Sequence, residues 1–321
     1  MNFSLIVCFF ILLTVLPGSN IFASNLKFGL LAKNVDDENF IDTAWGCQHA
    51  AALNGDTCVL LGGRGSADPR SQVTALKEAV KSDTFAAFAI SVVMSDVLGD
   101  VVRQSVNVPV ISFDSPFLPA DAPPNCAYVG PNNYEFGRDL AKIVKQLRPQ
   151  GGTVFLMGDL HDPNLKQRVW GIRRELSENP NIPDDQRLTA EAGWSESRRS
   201  PWNTGDNIDR AMEELSYTLE VVKPDVFISV GQWPLVNPAY YRKVTAPFRE
   251  SLIMKKQIVV VGVGKILPVH RQLVDEGLVH GLVSIDFNKI GQLGYQLMRD
   301  ATEGKPLAPM TYISNTTLIG R

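Results

Sequence analysis

The sequence predicts an α/β protein made of two doubly wound, parallel-sheet lobes. Apolar runs of about five residues alternate with segments of helical spacing, which is typical of strands buried on both faces of a parallel sheet. The pattern stops at a proline-rich connection, residues 115–126, and then starts again. The 321 residues are enough for two domains of roughly 100–150 residues each.

Residues 1–24 are expected to be a secretory signal peptide. Residues 3–16 carry no charge and are almost wholly apolar, and Pro17 ends the run. Small residues follow at Ala23 and Ser24, so we expect cleavage after one of them and export to the periplasm. No Lys or Arg precedes the run, which is atypical, and a membrane anchor or a buried helix is the alternative. A run of 14 residues is short for a membrane span, which needs about 20.

The first lobe is predicted element by element from residue 25. Short apolar runs predict strands at residues 25–32, 57–61, 84–93 and 109–113. Helical spacing predicts the helices between them, at residues 40–53, 71–82 and 97–105. Asn54-Gly55 ends the first of these helices as a C-cap. The result is a β-α-β-α-β-α-β unit that ends at Asp114.

The second lobe repeats this pattern after the proline-rich connection. A strand-like run at residues 127–130 and a helix at residues 133–147 lead into it. Further strands are predicted at residues 153–157, 188–192, 225–230 and 258–263, and helices at residues 165–177 and 207–222. Two similar lobes imply a cleft between them, and inter-domain clefts are preferred ligand sites.

Cysteine and histidine use indicates a disulfide and no metal site. Cys8 lies in the expected signal peptide, which leaves Cys47, Cys58 and Cys126. Cys47 falls on a predicted helix and Cys58 at the start of the next strand. We therefore expect a Cys47–Cys58 disulfide in an oxidising compartment, with two buried thiols as the alternative. The four histidines are scattered without metal-ligand spacing.

Composition and motifs argue against several function classes. The formal net charge is −3 and no basic run stands out, so no nucleic-acid partner is expected. The sequence contains neither a G-x-S-x-G elbow nor a G-x-x-x-x-G-K-[ST] phosphate-binding loop. We therefore predict neither an enzyme nor a bound cofactor.

The strongest site signal lies in residues 153–176. An apolar strand is followed by a polar loop, which contains Asn164, and then by a helix with Arg168 and Trp170 in its first turns. The carboxyl edge of a parallel sheet is where open α/β folds bind small ligands. A guanidinium and an indole at that edge suit a ligand with vicinal hydroxyls.

Several motifs occur in the same order as in a known protein family. They are Asn39-Phe40, Asp114 at the end of the fourth strand, residues 128–133 with Gly137, the RVWGI helix of residues 168–172, residues 223–226 before a loop at 231–234, and residues 258–264 and 284–291. On these motifs the mature chain resembles the periplasmic sugar-binding proteins of the ribose/galactose type. The resemblance implies a type I periplasmic-binding-protein fold with about three hinge crossovers, near residues 129–133, 284–288 and 305–311.

The same resemblance implies how the chain divides between the lobes. The first lobe is expected to contain residues 25–130 and 287–306, and the second lobe residues 131–286 and 307–321. The chain also departs from the family pattern. Ser115 stands where an arginine usually follows Asp114, Gln232-Trp233 replaces a frequent Asn-Asp pair, and Gly264 replaces an aspartate. An extra polar run occupies residues 194–207, and these departures leave the identity of the ligand open.

The expected ligand-binding set combines the site signal with the resemblance. It is Asn39, Phe40, Asp114, Asn164, Arg168, Trp170, Trp202, Asn203, Gln232, Trp233 and Asp286. Most have a simpler alternative: Arg168 as a solvated cation on the helix surface, Asn39 and Asn164 as helix N-caps, Asp114 as a turn cap, Phe40 and Trp170 as core residues, Trp202 and Asn203 as a surface loop, and Asp286 as a hinge residue.

The expected function is capture of a small sugar or polyol between two closing lobes. The resemblance implies a monomer whose closed form is recognised by a membrane permease, as part of an ABC importer. A sensor accessory that reports to a receptor kinase or chemoreceptor is the alternative. A transcription regulator of the shared fold would need an N-terminal helix-turn-helix, whereas an apolar leader precedes Asn25.

Overall fold

The computed structural model describes residues 25–82, 84–160 and 162–320. The expected signal peptide lies outside these residues. Among the helices in the described part of the chain, none combines the length and the apolar character that a bilayer span requires.

The first lobe is built on a six-stranded, wholly parallel sheet. Its order is β13-β5-β4-β3-β1-β2. The strands are β1 (Lys27–Leu31), β2 (Thr57–Leu61), β3 (Ala87–Ile90), β4 (Val110–Phe113), β5 (Tyr128–Pro131) and β13 (Met310–Ile313). The helices of this lobe are α1 (Glu38–Ala52), α2 (Pro69–Lys81), α3 (Ser95–Ser105) and α10 (Phe287–Thr302).

The second lobe is built on a sheet with the order β14-β12-β11-β10-β6-β8-β7, with β9 also paired to β6. The strands are β6 (Gly152–Gly158), β7 (Thr189–Glu191), β8 (Trp194–Glu196), β9 (Trp202–Asn203), β10 (Val226–Ser229), β11 (Ile258–Val263), β12 (Gly281–Ser284) and β14 (Thr316–Ile319). The helices are α4 (Asn133–Leu147), α5 (Pro163–Ser177), α6 (Ile208–Tyr217), α7 (Pro238–Thr245), α8 (Arg249–Ile253) and α9 (Pro268–Asp275).

The predicted fold class is confirmed: each lobe is a doubly wound sheet, parallel except for the edge strands β14 and β7 of the second lobe, which are antiparallel to their neighbours. In the first lobe β1 is flanked by β2 and β3, and in the second lobe β6 is flanked by β8 and β10. Apart from the short strands β7 and β9 and the last strand of each sheet, both lobes follow the 2-1-3-4-5 order of one common doubly wound fold. The central strands β10 and β11 are buried over their whole length. Their apolar sequences match strands that are covered by helices on both faces.

Three connections cross between the lobes. The first passes through Asn132, the second through residues 285–286 and the third through residues 314–315. The third lies later than expected, because β13 pairs with β5 in the first sheet before β14 joins the second. Residues 310–313 were expected in the second lobe, but Tyr312 packs edge-on against Tyr128 of the first. The alternating exposure of these four residues does not indicate which of the two sheets the strand joins.

Glycines bring pairs of helices into backbone contact in both lobes. A Cβ at Gly46 of α1 or at Gly291 of α10 would overlap a backbone carbonyl of the facing helix. Gly137 of α4 and Gly171 of α5 make the same reciprocal contact in the second lobe. Close packing of this kind fixes the helices that begin immediately after the first two crossovers.

A disulfide joins Cys47 of α1 to Cys58 of the edge strand β2, with 5.9 Å between the Cα atoms. It is the pairing expected from the sequence. Other elements differ from expectation. The helix expected at residues 207–222 ends its α-helical part at Tyr217 and continues as a π-helical turn, residues 218–222. The strand expected at residues 188–192 is a three-residue edge strand, β7, antiparallel to β8.

Candidate functional site

A cleft of about 1460 Å³ lies between the lobes, where the carboxyl ends of both sheets face each other. Residues that follow β1 and β4 line it from the first lobe. Residues that follow β6, β10 and β11 line it from the second. Strand ends of parallel sheets place loops and helix N-termini at one edge, which explains why polar side chains converge here.

An ion pair between the lobes crosses the middle of the cleft. The Nζ atom of Lys33, just after β1, lies 2.6 Å from Oδ2 of Asp162 in the second lobe and 3.8 Å from Oδ2 of Asp114. Burial opposes the charge of Lys33, but the carboxylates of Asp162, Asp114 and Asp206 raise its pKa above the usual value. Lys33 is therefore charged and held by carboxylates from both lobes.

Asp114 is fixed at the end of β4 in an unusual backbone conformation. Its φ is 57°, in the left-handed region, which aspartate tolerates better than most residues. The hydroxyl of Tyr128 donates a hydrogen bond to its backbone oxygen at 2.9 Å, and Ser91 Oγ donates to Oδ2 at 2.8 Å. Asp114 is only 4% exposed. Its carboxylate is thus held rigidly at the wall of the cleft.

Arg168 projects from α5 into the base of the cleft and is 6% exposed. Its Nε donates to Oδ1 of Asn133 at 2.9 Å, and its Nη1 donates to the backbone oxygen of Val230 at 2.8 Å. The guanidinium carbon lies 4.3 Å from the ring centre of Phe136. Burial lowers the pKa of Arg168, an effect that Asp114 and Asp162 oppose. Two protein acceptors and an aromatic face therefore set the orientation of the guanidinium.

The second-lobe wall is formed by the loops after β10 and β11. The indole Nε1 of Trp233 donates to Oδ1 of Asp206 at 2.8 Å, and the amide of Gly264 donates to Oε1 of Gln232 at 3.3 Å. Across the cleft, Asn39 of the first lobe lies directly against Gly264. A Cβ at Gly264 would overlap the carboxamide oxygen of Asn39 and lie 2.7 Å from its Cγ.

An aromatic residue completes the first-lobe wall. Phe40 borders the cleft, but it is 4% exposed and packs edge-on against Phe113 and Phe287 at centroid distances of 6.0 and 6.3 Å. Most of its ring therefore belongs to the core. One edge is left to offer an apolar contact to a ligand.

The structure brings seven of the eleven expected residues to the cleft. These seven are Asn39, Phe40, Asp114, Asn164, Arg168, Gln232 and Trp233. The other four, Trp170, Trp202, Asn203 and Asp286, are not among the described residues that line it.

Each of those four has a local partner elsewhere. Trp170 lies half-buried on α5 beneath the ammonium of Lys166, 5.1 Å from a ring centre. Trp202 pairs with β6 and packs against the core of the second lobe. Asn203 Oδ1 accepts a hydrogen bond from the next turn, at Gly205 N. Asp286 is exposed at the second crossover, where it is the N-cap of α10.

The helix caps also differ from the alternatives raised by the sequence. Asp37, not Asn39, is the N-cap of α1, and Asp162, not Asn164, is the N-cap of α5. Asn164 uses its own Oδ1 to accept from the amide of Leu165. Asn39 and Asn164 therefore face the cleft without being needed as caps.

Sequence reasoning left out several charged residues that line the cleft, among them Lys33, Asp37, Asp162 and Asp206. Lys33 and Asp162 follow β1 and β6 closely, so their position at strand ends was a usable signal. Asp37 lies in the polar run before α1 and was readable as an N-cap. Asp206 reaches the cleft through its contact with Trp233, far along the chain, and no local pattern predicts that contact.

In the ranges 25–82, 84–160 and 162–320, no three His, Cys, Asp or Glu side chains come together in a way that could hold a metal ion. The cleft instead offers carboxylates, amides, a guanidinium and aromatic edges. This set can bind a small polar molecule by hydrogen bonds and apolar contacts.

Comparison with solved structures agrees with this architecture. An ABC transporter solute-binding protein from Burkholderia graminis, solved with D-arabinose, is 19% identical; the match covers 92% of this chain and 96% of that one, with a TM-score of 0.74. A solute-binding protein from Agrobacterium vitis with bound D-fucose is 13% identical over 91% and 95%, with a TM-score of 0.76. A glucose-galactose binding protein from Geobacillus stearothermophilus is 16% identical over 92% and 97%, with a TM-score of 0.71.

These structures confirm the expected type I periplasmic-binding-protein fold. Curated protein sequences gave no match. Among protein families, the periplasmic binding protein domain matches residues 28–306, which is most of the chain. This is a family of binding proteins and not of enzymes, in agreement with the sequence. The two lobes, the cleft and the family match lead to one conclusion: the chain belongs to the periplasmic binding protein family.

Proposed function

We propose that this protein captures a small sugar or polyol in the cleft and presents its closed form to an ABC importer. The observation that carries the proposal is the convergence of polar side chains from both lobes around the Lys33–Asp162 ion pair. A ligand bound there contacts both lobes at once. The structural neighbours described with D-arabinose and D-fucose support a monosaccharide of similar size.

The proposed contacts follow from the chemistry of each group. The Asp114 carboxylate accepts hydrogen bonds from ligand hydroxyls, and Arg168 donates from the base of the cleft. Asn39, Asn164 and Gln232 add amide donors and acceptors, and Phe40 and Trp233 provide apolar contacts, as the list of cleft residues allows. Trp170, Trp202, Asn203 and Asp286 are left out of this contact set.

Closure is proposed to be the signal. Hinge rotation at the three crossovers would open and close the cleft, as in periplasmic binding proteins generally. A ligand that contacts both lobes binds the closed form more tightly than the open form, and this difference shifts the population toward closure. The first lobe is proposed to comprise residues 25–131 and 287–313, and the second to comprise residues 133–284 and 316–320.

The location and the partners complete the proposal. Membership of the periplasmic family supports a periplasmic location, reached through cleavage near Ala23 or Ser24. The protein is proposed to act as a monomer with a membrane permease. A receptor kinase or chemoreceptor is the second candidate partner, because Ser115, Gln232-Trp233 and Gly264 change the ligand set of the resembling transport proteins.

Mass spectrometry of small molecules released by denaturing the purified protein tests the proposal most directly. We expect a sugar or polyol, and we expect calorimetry with a sugar and polyol panel to give binding at one site per chain. Absence of any released solute, together with no binding across the panel, would contradict the proposed function.

A further inference from the structure

Three carboxylates of the cleft share one arrangement: one oxygen accepts a protein hydrogen bond and the other does not. The residues are Asp37 and Asp114 of the first lobe and Asp206 of the second. Their protein donors are Asn39 N, Ser91 Oγ and Trp233 Nε1, each at 2.8 Å. Within the described part of the chain, no residue donates to the second oxygen of any of the three. Asp114 is 4% exposed, and its carboxylate lies at the cleft wall.

The three carboxylates lie close enough to influence one another. Burial, together with the negative charges of Asp206 and Asp114, raises the pKa of Asp37 to about 6, although a backbone hydrogen bond and Lys33 oppose the shift. Asp206 itself is exposed to solvent. Closure over a ligand would withdraw it from water and strengthen its repulsion toward the other two.

The cations of the cleft do not balance this charge. Lys33 is held at 2.6 Å by a fourth carboxylate, Asp162. Arg168 donates two hydrogen bonds to neutral acceptors, the side chain of Asn133 and the backbone oxygen of Val230. A third cation of the lining, Lys265, is exposed to solvent. Carboxylates still outnumber cations among the lining residues, so a neutral ligand would leave excess negative charge in the closed cleft.

The carboxylate oxygens that accept no protein hydrogen bond indicate which donor groups a ligand must supply. A hydroxyl supplies one donor and no charge, whereas an ammonium supplies three donors and a positive charge. A hydroxyl that donates to a carboxylate already forms a charge-assisted hydrogen bond, so the ammonium adds mainly its positive charge, which offsets the repulsion among the carboxylates. In the described ranges no three His, Cys, Asp or Glu side chains could together hold a metal ion. An ammonium carried on a polyol does not need such a closed ligand shell, because the hydroxyls of the same molecule bind elsewhere in the cleft.

We propose that the ligand is a small polyol bearing a protonated amine, an amino sugar, whose ammonium lies between Asp37, Asp114 and Asp206. This inference rests on the proposed function, since it names the ligand class of the same cleft. The remaining hydroxyls of the ligand would use Arg168 and the amide side chains.

Matched sets of sugars test the inference by isothermal titration calorimetry at pH 7. Each set contains an amino sugar, its neutral parent and its neutral N-acetyl form: D-glucosamine with D-glucose and N-acetyl-D-glucosamine, and the same three for D-galactose and D-mannose. In at least one set, the amino sugar should bind at least about tenfold more tightly than both neutral forms, which corresponds to about 1.4 kcal/mol.

Variants locate the preference. Asp37→Asn and Asp206→Asn should each reduce the ratio of amine to neutral affinity by about tenfold, because each removes one negative charge and keeps the shape. Asparagine also serves as an N-cap, so Asp37→Asn should leave α1 intact, which a melting curve checks. Glu213→Gln, an exposed carboxylate of α6 that does not line the cleft, is the control and should keep the ratio.

The outcomes separate the inference from the proposed function. If a neutral parent binds as tightly as its amine, the inference is overturned while solute binding stands. If the preference survives in Asp37→Asn and Asp206→Asn, the placement of the ammonium is overturned. If no member of any set binds, the amino-sugar inference also falls, and the released-solute experiment then decides whether the cleft binds a solute at all.

Discussion

The guanidinium of Arg168 binds acceptors of the protein and also lines the cleft. Two of its nitrogens bind protein acceptors, while the residue borders the proposed ligand. Arg168→Ala should weaken ligand binding by about 2–4 kcal/mol, because it removes a charged donor from a desolvated cleft and leaves polar partners unpaired. It should also lower the free energy of unfolding, since the Val230 oxygen and Asn133 lose a buried donor. Calorimetry and urea unfolding measure the two effects separately.

The control for Arg168 lies on the same helix. Arg174 forms an ion pair with Asp184 at 3.4 Å on the surface of α5, away from the cleft lining. Arg174→Ala should leave ligand affinity unchanged and cost under about 1 kcal/mol from the ion pair, as exposed pairs do. Equal affinity in the Arg168→Ala protein and the wild type would remove Arg168 from the binding site.

Glu214 is a buried carboxyl group without a hydrogen-bond partner in the described residues. It is 3% exposed, and burial raises its pKa from 4.5 to about 9 against the opposing charge of Arg210. The folded state therefore keeps this proton between pH 4.5 and about 9, where the unfolded chain has released it. Because the folded state binds more protons in this window, the free energy of unfolding should fall as pH rises, by up to about 1.4 kcal/mol per pH unit.

Two neighbouring variants isolate this effect in urea titrations at pH 5 to 8. Glu214→Gln should flatten the pH dependence and make the protein more stable than the wild type at pH 8, since glutamine never has to be buried as a charge. Glu213→Gln, one residue earlier and exposed, should keep the wild-type slope. A wild-type slope in the Glu214→Gln protein would show that Glu214 is ionised in the fold.

Among single residues, those at strand ends were the ones that sequence could predict. Asp114 and Arg168 follow apolar strands directly or one loop later, and parallel strands deliver both to the same edge. Trp202 does not line the cleft, because its segment adds a short strand, β9, beside β6 and the indole packs against the core. Asp206 depends on a contact with Trp233 that forms only when the chain has folded.

At the scale of elements, the packing of α1 against α10 depends on a glycine that only backbone contact explains. A Cβ at Gly291 would overlap the carbonyl oxygen of Thr43, and backbone cannot move aside as a side chain can. Gly291→Ala should therefore force the helices apart and cost about 1–3 kcal/mol, the usual penalty for overpacking. Urea unfolding followed by circular dichroism measures it.

The same helix supplies the matched control. At Gly294, a Cβ would have Val129 Cγ1 as its nearest neighbour, at an ordinary distance of 3.8 Å. Gly294→Ala should thus be neutral or stabilise the protein by up to about 1 kcal/mol, because alanine loses less entropy in a helix. If both variants had the same stability, the close contact between α1 and α10 would not hold in solution.

Elements with a strong local pattern were predicted to the residue, and those set by tertiary pairing were not. The bounds of α4 and β11 agree with expectation because their apolar residues follow one unbroken period. The helical period continues past Tyr217, yet the chain there turns π-helical, which the pattern does not distinguish. β13 belongs to the first sheet because it pairs with β5. The sequence of β13 alone does not determine this pairing.

At the scale of the whole molecule, the two lobes approach each other most closely at two places. Lys33 reaches Asp162 at 2.6 Å, and Asn39 lies against Gly264. The first contact is an ion pair that a ligand could replace by its own polar groups. The second is steric, because the first lobe occupies the space that any side chain at residue 264 would need. The resemblance predicted two lobes but not the contact between Asn39 and Gly264, because these two residues lie more than 200 positions apart in the sequence.

The fit predicts that residue 264 limits closure. Gly264→Ala should hold the lobes apart, because its Cβ would overlap the Asn39 carboxamide. Small-angle scattering with saturating ligand should then give a larger radius of gyration than for the wild type. Ligand affinity should also fall in proportion to the lost closed population.

The double variant Asn39→Ala/Gly264→Ala separates steric blocking from a loss of ligand contacts. It removes the overlapping atoms, so the lobes should close again and the radius of gyration should return to the wild-type value, even where the missing Asn39 amide keeps affinity low. If the single Gly264→Ala protein already closed fully, the Asn39 side chain would have rotated out of the way. Closure would then be limited by the ion pair between Lys33 and Asp162, the other contact that spans the cleft.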